Sequence, residues 1–139
     1  MTARRKAVFL RAAEQDLVRL GQDDPDLPRL ALGKIRDLES GAVEGERLHE
    51  MAATGDLSEC RKLYFGKGSP PTHRIVYRDL QDGGVEVLEI IAIEARQDLY
   101  AYLLAAVRLG RLPPESDRRY TRVHQEVIKR RSARRTRRS

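Results

Sequence analysis

Between Cys60 and Ile93 the chain alternates and runs apolar in the manner of strands. Arg61–Phe65 and Thr72–Leu80 alternate polar and apolar positions, and Val85–Ile93 is a long apolar run. Gln81-Asp82-Gly83-Gly84 separates the last two segments and contains Asp-Gly, which tolerates the positive φ of a tight hairpin. Gly66-Lys67-Gly68-Ser69-Pro70-Pro71 separates the first two as a longer hairpin loop. The pattern predicts a three-stranded antiparallel meander. Successive strand residues face opposite sides. Leu63 and Phe65 therefore share one face, and Lys62 and Tyr64 the other. On the next strand Ile75 and Tyr77 go with His73, and Arg74, Val76 and Arg78 point the opposite way. One face can pack on helices while the other gathers Lys62, Tyr64 and Arg74, a group suited to a polyanion.

Ahead of the meander, Lys6–Leu10 reads as a short edge strand. Ala12–Leu20 has Ala13, Leu17 and Leu20 at helical spacing, with Gly21 as its stop. Asp23-Asp24-Pro25 is a turn, Asp26 caps a second helix with Pro28 in its first turn, and Gly41 ends it. Leu27, Leu30, Ala31, Ile35 and Leu38 form its apolar stripe. Ala42–Glu59 reads mostly as loop, with Leu48 as a core anchor. Beyond the meander, Asp98 or Glu94 starts a helix whose Leu99, Leu103, Ala106 and Val107 face inward, and Gly110 ends it. The expected fold class is α+β: a strand and helix hairpin, the meander completing a four-stranded sheet, and a C-terminal helix. Residues 1–110 form the domain, closed by Pro113-Pro114, and residues 111–139 form a basic extension. In the extension Ser116 caps a helix to about Arg131 with Tyr120, Val123 and Val127 as a thin apolar stripe, and Arg134–Ser139 is expected to be disordered.

Composition narrows the class. A chain of 139 residues, 40% hydrophobic and 35% charged, allows one soluble domain with a modest core. No apolar run approaches the ~20 residues that span a bilayer, and Ala7–Leu10 is too short for a signal-peptide core. The single cysteine, Cys60, permits no internal disulfide, fits a reducing cytoplasm, and reads as a small buried hydrophobe. His49, His73 and His124 are scattered without a second ligand at suitable spacing, so neither a metal nor another cofactor is expected. The charge of +6 is uneven: residues 111–139 hold 11 Lys/Arg and 3 Asp/Glu, a net of +8, and the body carries a net of −2. Such an extension suits a nucleic-acid, ribosome or acidic-partner contact, or is simply a solvated end.

The order of these pieces resembles a known family. Cys-Arg-Lys-Leu-Tyr-Phe, then His-Arg-Ile-Val-Tyr, then Val-Leu-Glu-Ile-Ile-Ala-Ile, then Arg96 and Tyr102, is similar to the RelE-type toxins of the RelE/ParE toxin–antitoxin superfamily. The likeness spans about residues 4 to 110. It favours separating the first strand from the first helix, where Asp16-Leu17 matches an Asp-Leu pair of the family. The resemblance implies a cytoplasmic toxin that binds a cognate antitoxin, acts on ribosomes, and inhibits translation as a metal-independent mRNA interferase, a ribosome-dependent endoribonuclease and hydrolase. A ParE-like toxin that poisons DNA gyrase, or an inactive RNA- or ribosome-binding module, is the alternative.

The family's catalytic set transfers to four positions. Lys62 matches the general base, which needs a depressed pKa. Arg74 matches the arginine that grips the scissile phosphate. Arg96 matches a phosphate stabiliser and possible proton donor, and Tyr102 a tyrosine that stacks on or orients the substrate. Tyr64, Lys67 and Arg78 are further RNA-binding candidates. Two departures stand out. Tyr64 replaces a family lysine, with Lys67 as the candidate substitute, and Glu94-Ala95 replaces Gly-Lys, which removes a cation and adds an anion. Each position also has a structural reading: Lys62 and Arg74 as solvated cations, Arg96 capping carbonyls or pairing with Asp98, Tyr102 in the core. His73 and Tyr77 are read as structural.

Overall fold

The computed structural model describes residues 5–82, 85–97 and 99–138. The expected meander forms the centre of a sheet that has five strands among the described residues. These are β1 (Lys6–Phe9), β2 (Glu46–Arg47), β3 (Cys60–Phe65), β4 (His73–Asp82) and β5 (Val85–Ala95). Their spatial order is β1-β5-β4-β3-β2. The meander is antiparallel, and β1 lies at the edge, parallel to β5 from Lys6 opposite Val87 to Phe9 opposite Ile90. The turn residues Gly83 and Gly84 lie outside the described residues.

The strand absent from the four-stranded expectation is β2. Its two exposed polar residues pair with Arg61 and Lys62 and give no periodic signal. Gly45 lets this segment approach the sheet. A Cβ there would lie 2.6 Å from the Lys62 carbonyl oxygen and 2.8 Å from the Tyr77 hydroxyl. The Gly45 N–H donates to that hydroxyl at 2.8 Å, which makes Tyr77 the core residue it was expected to be.

Helices cover both faces. On one, α1 (Arg11–Asp23) and α2 (Asp26–Ser40) form the expected hairpin, and Leu20, Ala31, Ile35 and Leu38 meet Phe65, Ile75, Tyr77 and Ile93. On the other, α3 (Tyr100–Arg108) packs on Cys60, Val76, Ile91 and Ala92, and Val123 and Val127 of α4 (Asp117–Arg138) join the same cluster. Burying two valines contributes about 1.5–3 kcal/mol each. The extension that begins at residue 111 thus shares a core with the body. Leu48 is buried in that core as expected.

Several boundaries differ from the periodicity. Helix α1 continues through Gly21, because the hairpin turn comes only at Asp24. Pro25 takes the N-cap place of α2, Asp26 is its first residue, and the Asp24 carboxylate accepts the Asp26 N–H at 3.0 Å. Leu30 and Val107, expected inside, are each 39% exposed. Helix α3 begins at Tyr100; Glu94 belongs to β5 and Asp98 is outside the described residues. Helix α4 follows a 3-10 turn that ends at Ser116 and runs to Arg138, so helix replaces the disorder expected over residues 134–138.

One irregularity governs β5. Val76 pairs with Ala92 but Tyr77 with Ile90, which leaves Ile91 as an extra residue, a β-bulge. Ile90 and Ile93 therefore face the helix hairpin, while Ile91 and Ala92 both face α3. The bulge frees backbone groups that need partners. Arg108 donates to the Ile91 carbonyl at 2.9 Å, and the Ile93 N–H donates to the Asp16 carboxylate at 3.0 Å. Asp16 is wholly buried and is gripped by both Arg108 nitrogens, at 2.7 and 2.9 Å. Asp16→Ala removes one partner of a buried pair and is expected to cost about 3–5 kcal/mol in urea unfolding. A wild-type midpoint in that variant would show that the pair does not hold the bulge.

Candidate functional site

The far end of the meander, where Tyr64 pairs with Arg74 and Arg74 with Glu94, brings the sequence-selected residues together. The bulge makes this possible. Beyond it the even positions of β5 face α3, and the Arg96 N–H extends the ladder by donating to the Thr72 carbonyl at 2.9 Å. Leu99, at a left-handed φ of 64°, then turns the chain into α3, whose first turns carry Tyr102.

Tyr64 is the hub. Its ring centroid lies 4.4 Å from the Arg96 guanidinium, 5.4 Å from the Lys62 ammonium and 5.7 Å from the Arg74 guanidinium. The negative face of an aromatic ring attracts cations and reduces the cost of gathering three of them. The position that sequence comparison marked as a missing cation instead assembles the cations. Arg74 also lies 4.5 Å from the Tyr102 ring. Arg96 donates to the Pro71 carbonyl at 3.1 Å, the carbonyl-capping contact anticipated for it. Pro70, Pro71, Thr72, Arg74 and Arg96 line an open cleft of about 310 Å³.

Two expected roles change. The pKa of Lys62 is raised rather than depressed. Hydrogen bonding with the Tyr64 phenol is the main cause, burial opposes it, and Tyr102 and Glu46 add to the rise. This environment favours the ammonium form of Lys62, the opposite of the depressed pKa that a lysine base needs. The same interaction with Lys62 lowers the pKa of Tyr64; burial opposes it, and the charges of Lys62, Arg74 and Arg96 reinforce it. Tyr102 is only 4% exposed and its ring lies against Arg74, so it supports that arginine and has no open face for stacking on a base. Its hydroxyl is buried and makes no hydrogen bond of good geometry; burial pushes its pKa up, and the neighbouring Arg74 and Lys62 oppose that rise.

Two RNA-binding candidates lie elsewhere. Lys67 points to the helix hairpin, where its ammonium contacts Asp24 at 2.8 Å and Asp26 at 2.9 Å, so it does not replace the missing lysine. Arg78 shares the face of Arg74 but sits four residues along β4, paired with Glu89 at 2.8 Å and Glu59 at 3.5 Å. His73 packs tilted on Phe65 with ring centroids 5.3 Å apart, consistent with its structural reading. Cys60 is buried, and burial pushes its thiol up to about 11.

The sequence also contained a pair that periodicity passed over. Glu94 is wholly buried, and Arg131 of α4 donates to it at 2.6 Å. A second cleft, of about 470 Å³, lies between the helix hairpin turn, Thr72 and His73, and Arg130 and Arg131. Among the described residues no group of three or more His, Cys, Asp or Glu side chains is placed to hold a metal ion, and no helix is long and apolar enough to cross a membrane.

No family model matches this chain, and no curated protein matches it. Among solved structures it is similar to the YoeB/ParE toxin from Agrobacterium tumefaciens, with 21% identity and a TM-score of 0.48, over 66% of this chain and 99% of that one.

The unpartnered Tyr102 hydroxyl generates a stability test. Removing a buried donor that bonds to nothing avoids its desolvation cost. Tyr102→Phe is expected to raise stability by up to about 1 kcal/mol in urea unfolding. A decrease of that size would mean that the hydroxyl is hydrogen-bonded in solution.

Proposed function

We propose that this chain is the toxin of a type II toxin–antitoxin pair, a ribosome-dependent endoribonuclease that cleaves messenger RNA in the cytoplasm and so inhibits translation. The observation that carries this reading is the gathering of Lys62, Arg74 and Arg96 around Tyr64, with Arg74 and Arg96 also lining an open cleft. Neither guanidinium of that group is ion-paired to a carboxylate among the described residues. Guanidinium forks match phosphate oxygens, and preorganised cations stabilise the extra negative charge of a pentacovalent phosphorane.

The chemistry balances within these residues. Ionised Tyr64, made more acidic by its neighbours, takes the proton of the 2′-hydroxyl. The 2′-oxygen forms a bond to the adjacent phosphorus, and the bond to the 5′-oxygen breaks. The Lys62 ammonium gives its proton to that leaving oxygen. Arg74 and Arg96 hold the non-bridging oxygens throughout. Proton transfer from Tyr64 to Lys62 then restores the starting pair. The products are a 2′,3′-cyclic phosphate and a 5′-hydroxyl. The ribosome would supply substrate alignment, which can be worth more than any one charge.

The test is purified protein added to translating ribosomes that carry an end-labelled messenger, with a gyrase supercoiling assay run beside it. Arg74→Ala and Arg96→Ala are each expected to slow cleavage roughly 10²–10³-fold. Tyr64→Phe should lose a similar factor along with the rise of rate with pH that an ionising phenol produces. Intact messenger together with inhibited supercoiling overturns the ribonuclease reading in favour of a gyrase poison.

The extension fits the same partner. Helix α4 has 22 residues and is about 33 Å long. Arg118, Arg122 and Lys129 fall in one stripe at the helical period, flanked by Arg119 and Arg130, and all five are exposed. Phosphate contacts release counterions, so each one adds to the salt dependence of binding. Replacing Arg118, Arg122 and Lys129 by Gln should weaken ribosome binding. It should also flatten the plot of log affinity against log salt by about one unit for each phosphate no longer neutralised. An unchanged slope would assign the stripe to solvent.

A further inference from the structure

Glu94 and Arg74 are direct cross-strand partners on the same face of the sheet. Opposed residues have Cβ atoms about 5 Å apart, well within reach of an arginine and a glutamate. They form no ion pair. One Glu94 oxygen, Oε2, accepts from Arg131 at 2.6 Å and from the Ala95 N–H at 3.2 Å. The other, Oε1, is buried with no partner, and Arg74 Nε is also buried with no partner. An unused acceptor and an unused donor thus sit on neighbouring strands, and a third residue holds the carboxylate. That residue is itself fixed: Arg131 is 9% exposed, and its Nε lies 3.3 Å from Asp23 at the end of α1.

We infer that Arg131 is a positioning residue of the phosphate site: by holding Glu94 from the α4 side, it keeps Arg74 free for an incoming phosphate. The inference rests on the reading of Arg74 as a phosphate ligand. A carboxylate and a guanidinium at this separation attract strongly where water is excluded. Without Arg131, the cation opposite Glu94 that still has an unused donor is Arg74, because Arg108, which also senses the Glu94 charge, is held by Asp16. The resulting pair would cancel one of the site's three charges and occupy the donors that would grip phosphate. The glutamate in place of the family's Gly-Lys is thereby made harmless by a helix outside the region of resemblance. Burial pushes the Glu94 carboxyl up and the Arg131 charge works against that rise, so the two residues form a mutually dependent pair.

The experiment compares wild type, Arg131→Met and the double variant Arg131→Met/Glu94→Gln. Cleavage of end-labelled messenger on translating ribosomes is one readout. Binding of a short fluorescein-labelled RNA at low salt is the other. Arg131→Met should lose on the order of tenfold in both, since it silences one cation of the clamp. The double variant should recover to within about threefold of wild type, because a neutral side chain at 94 no longer competes. A merely structural role for Arg131 predicts no recovery. Wild-type behaviour of Arg131→Met, or a double variant that is folded by circular dichroism and as impaired as the single one, overturns the inference. Should Arg131→Met fail to fold, Arg131→Gln and Arg131→Gln/Glu94→Gln make the same comparison with a hydrogen-bonding side chain kept at 131. A wild-type protein that cleaves no messenger removes the ribonuclease reading, and the binding readout still decides the role of Arg131.

Discussion

The ion pair between Asp16 and Arg108 is the constraint on which the architecture depends. It joins α1 to α3 through the sheet; the same two side chains bond the backbone at Ile91 and Ile93, and Arg19 is a further partner of Asp16. A bulge without those partners would leave a carbonyl and an amide unsatisfied in the protein interior, which costs several kcal/mol. A regular β5 would instead turn Glu94 toward the helix hairpin. The pair thus decides which face the last third of β5 presents. A buried pair of this kind is a poor source of net stability, because desolvation consumes most of the attraction. Its value here lies in specifying one register.

That register sorts the charges. Much of the basic surface is matched by nearby acids: Arg5, Arg61, Lys67, Arg78 and Arg111 all sit in ion pairs. At the end of the meander the matching is withheld from Arg74 and Arg96, while Lys62 keeps Glu46 at 3.9 Å. Aromatic rings contact the Arg74 and Arg96 guanidiniums there, and among the described residues no carboxylate is ion-paired with them. Ring contacts stabilise a cation by about 0.5–2 kcal/mol without neutralising it. The charge remains available to a ligand, and the same logic makes the phenol of Tyr64 more acidic.

Much of this was legible in the sequence because it rests on local rules. Alternation placed Lys62, Tyr64 and Arg74 on one face, and the stripe of α2 was right except at Leu30. The Gly/Pro loop and the alternation of the strands pointed to the antiparallel meander. The illegible parts are those in which distant segments decide a local outcome. The bulge at Ile91 has no signal of its own, since one more isoleucine in an apolar run looks the same on either face. The raised pKa of Lys62 needs the geometry of Tyr64. Lys67 looked like a spare cation because Asp24 and Asp26 are more than forty residues away in sequence. The basic extension read as a binding arm or a solvated end with a helix whose thin stripe is Tyr120, Val123 and Val127, and two valines in a strongly charged stretch do not say what they pack on.

The parallel pairing of β1 with β5 has a consequence for how the chain acquires its shape. Strand β1 is made first, yet its partner begins about eighty residues later, and Asp16 meets Arg108 only after a further turn of chain has been added. Loop-closure entropy must be overcome before either contact stabilises anything, so the helix hairpin forms early and the sheet late. During synthesis the first half of the protein carries Asp16 with Arg19 as its cation but without Arg108, and an unpaired edge strand. The nascent chain therefore passes through a long interval in which it is vulnerable to aggregation and proteolysis but has no assembled site. The cluster around Tyr64 is complete only once β5 and the first turns of α3 are in place, so the last-made part of the chain finishes what the meander begins.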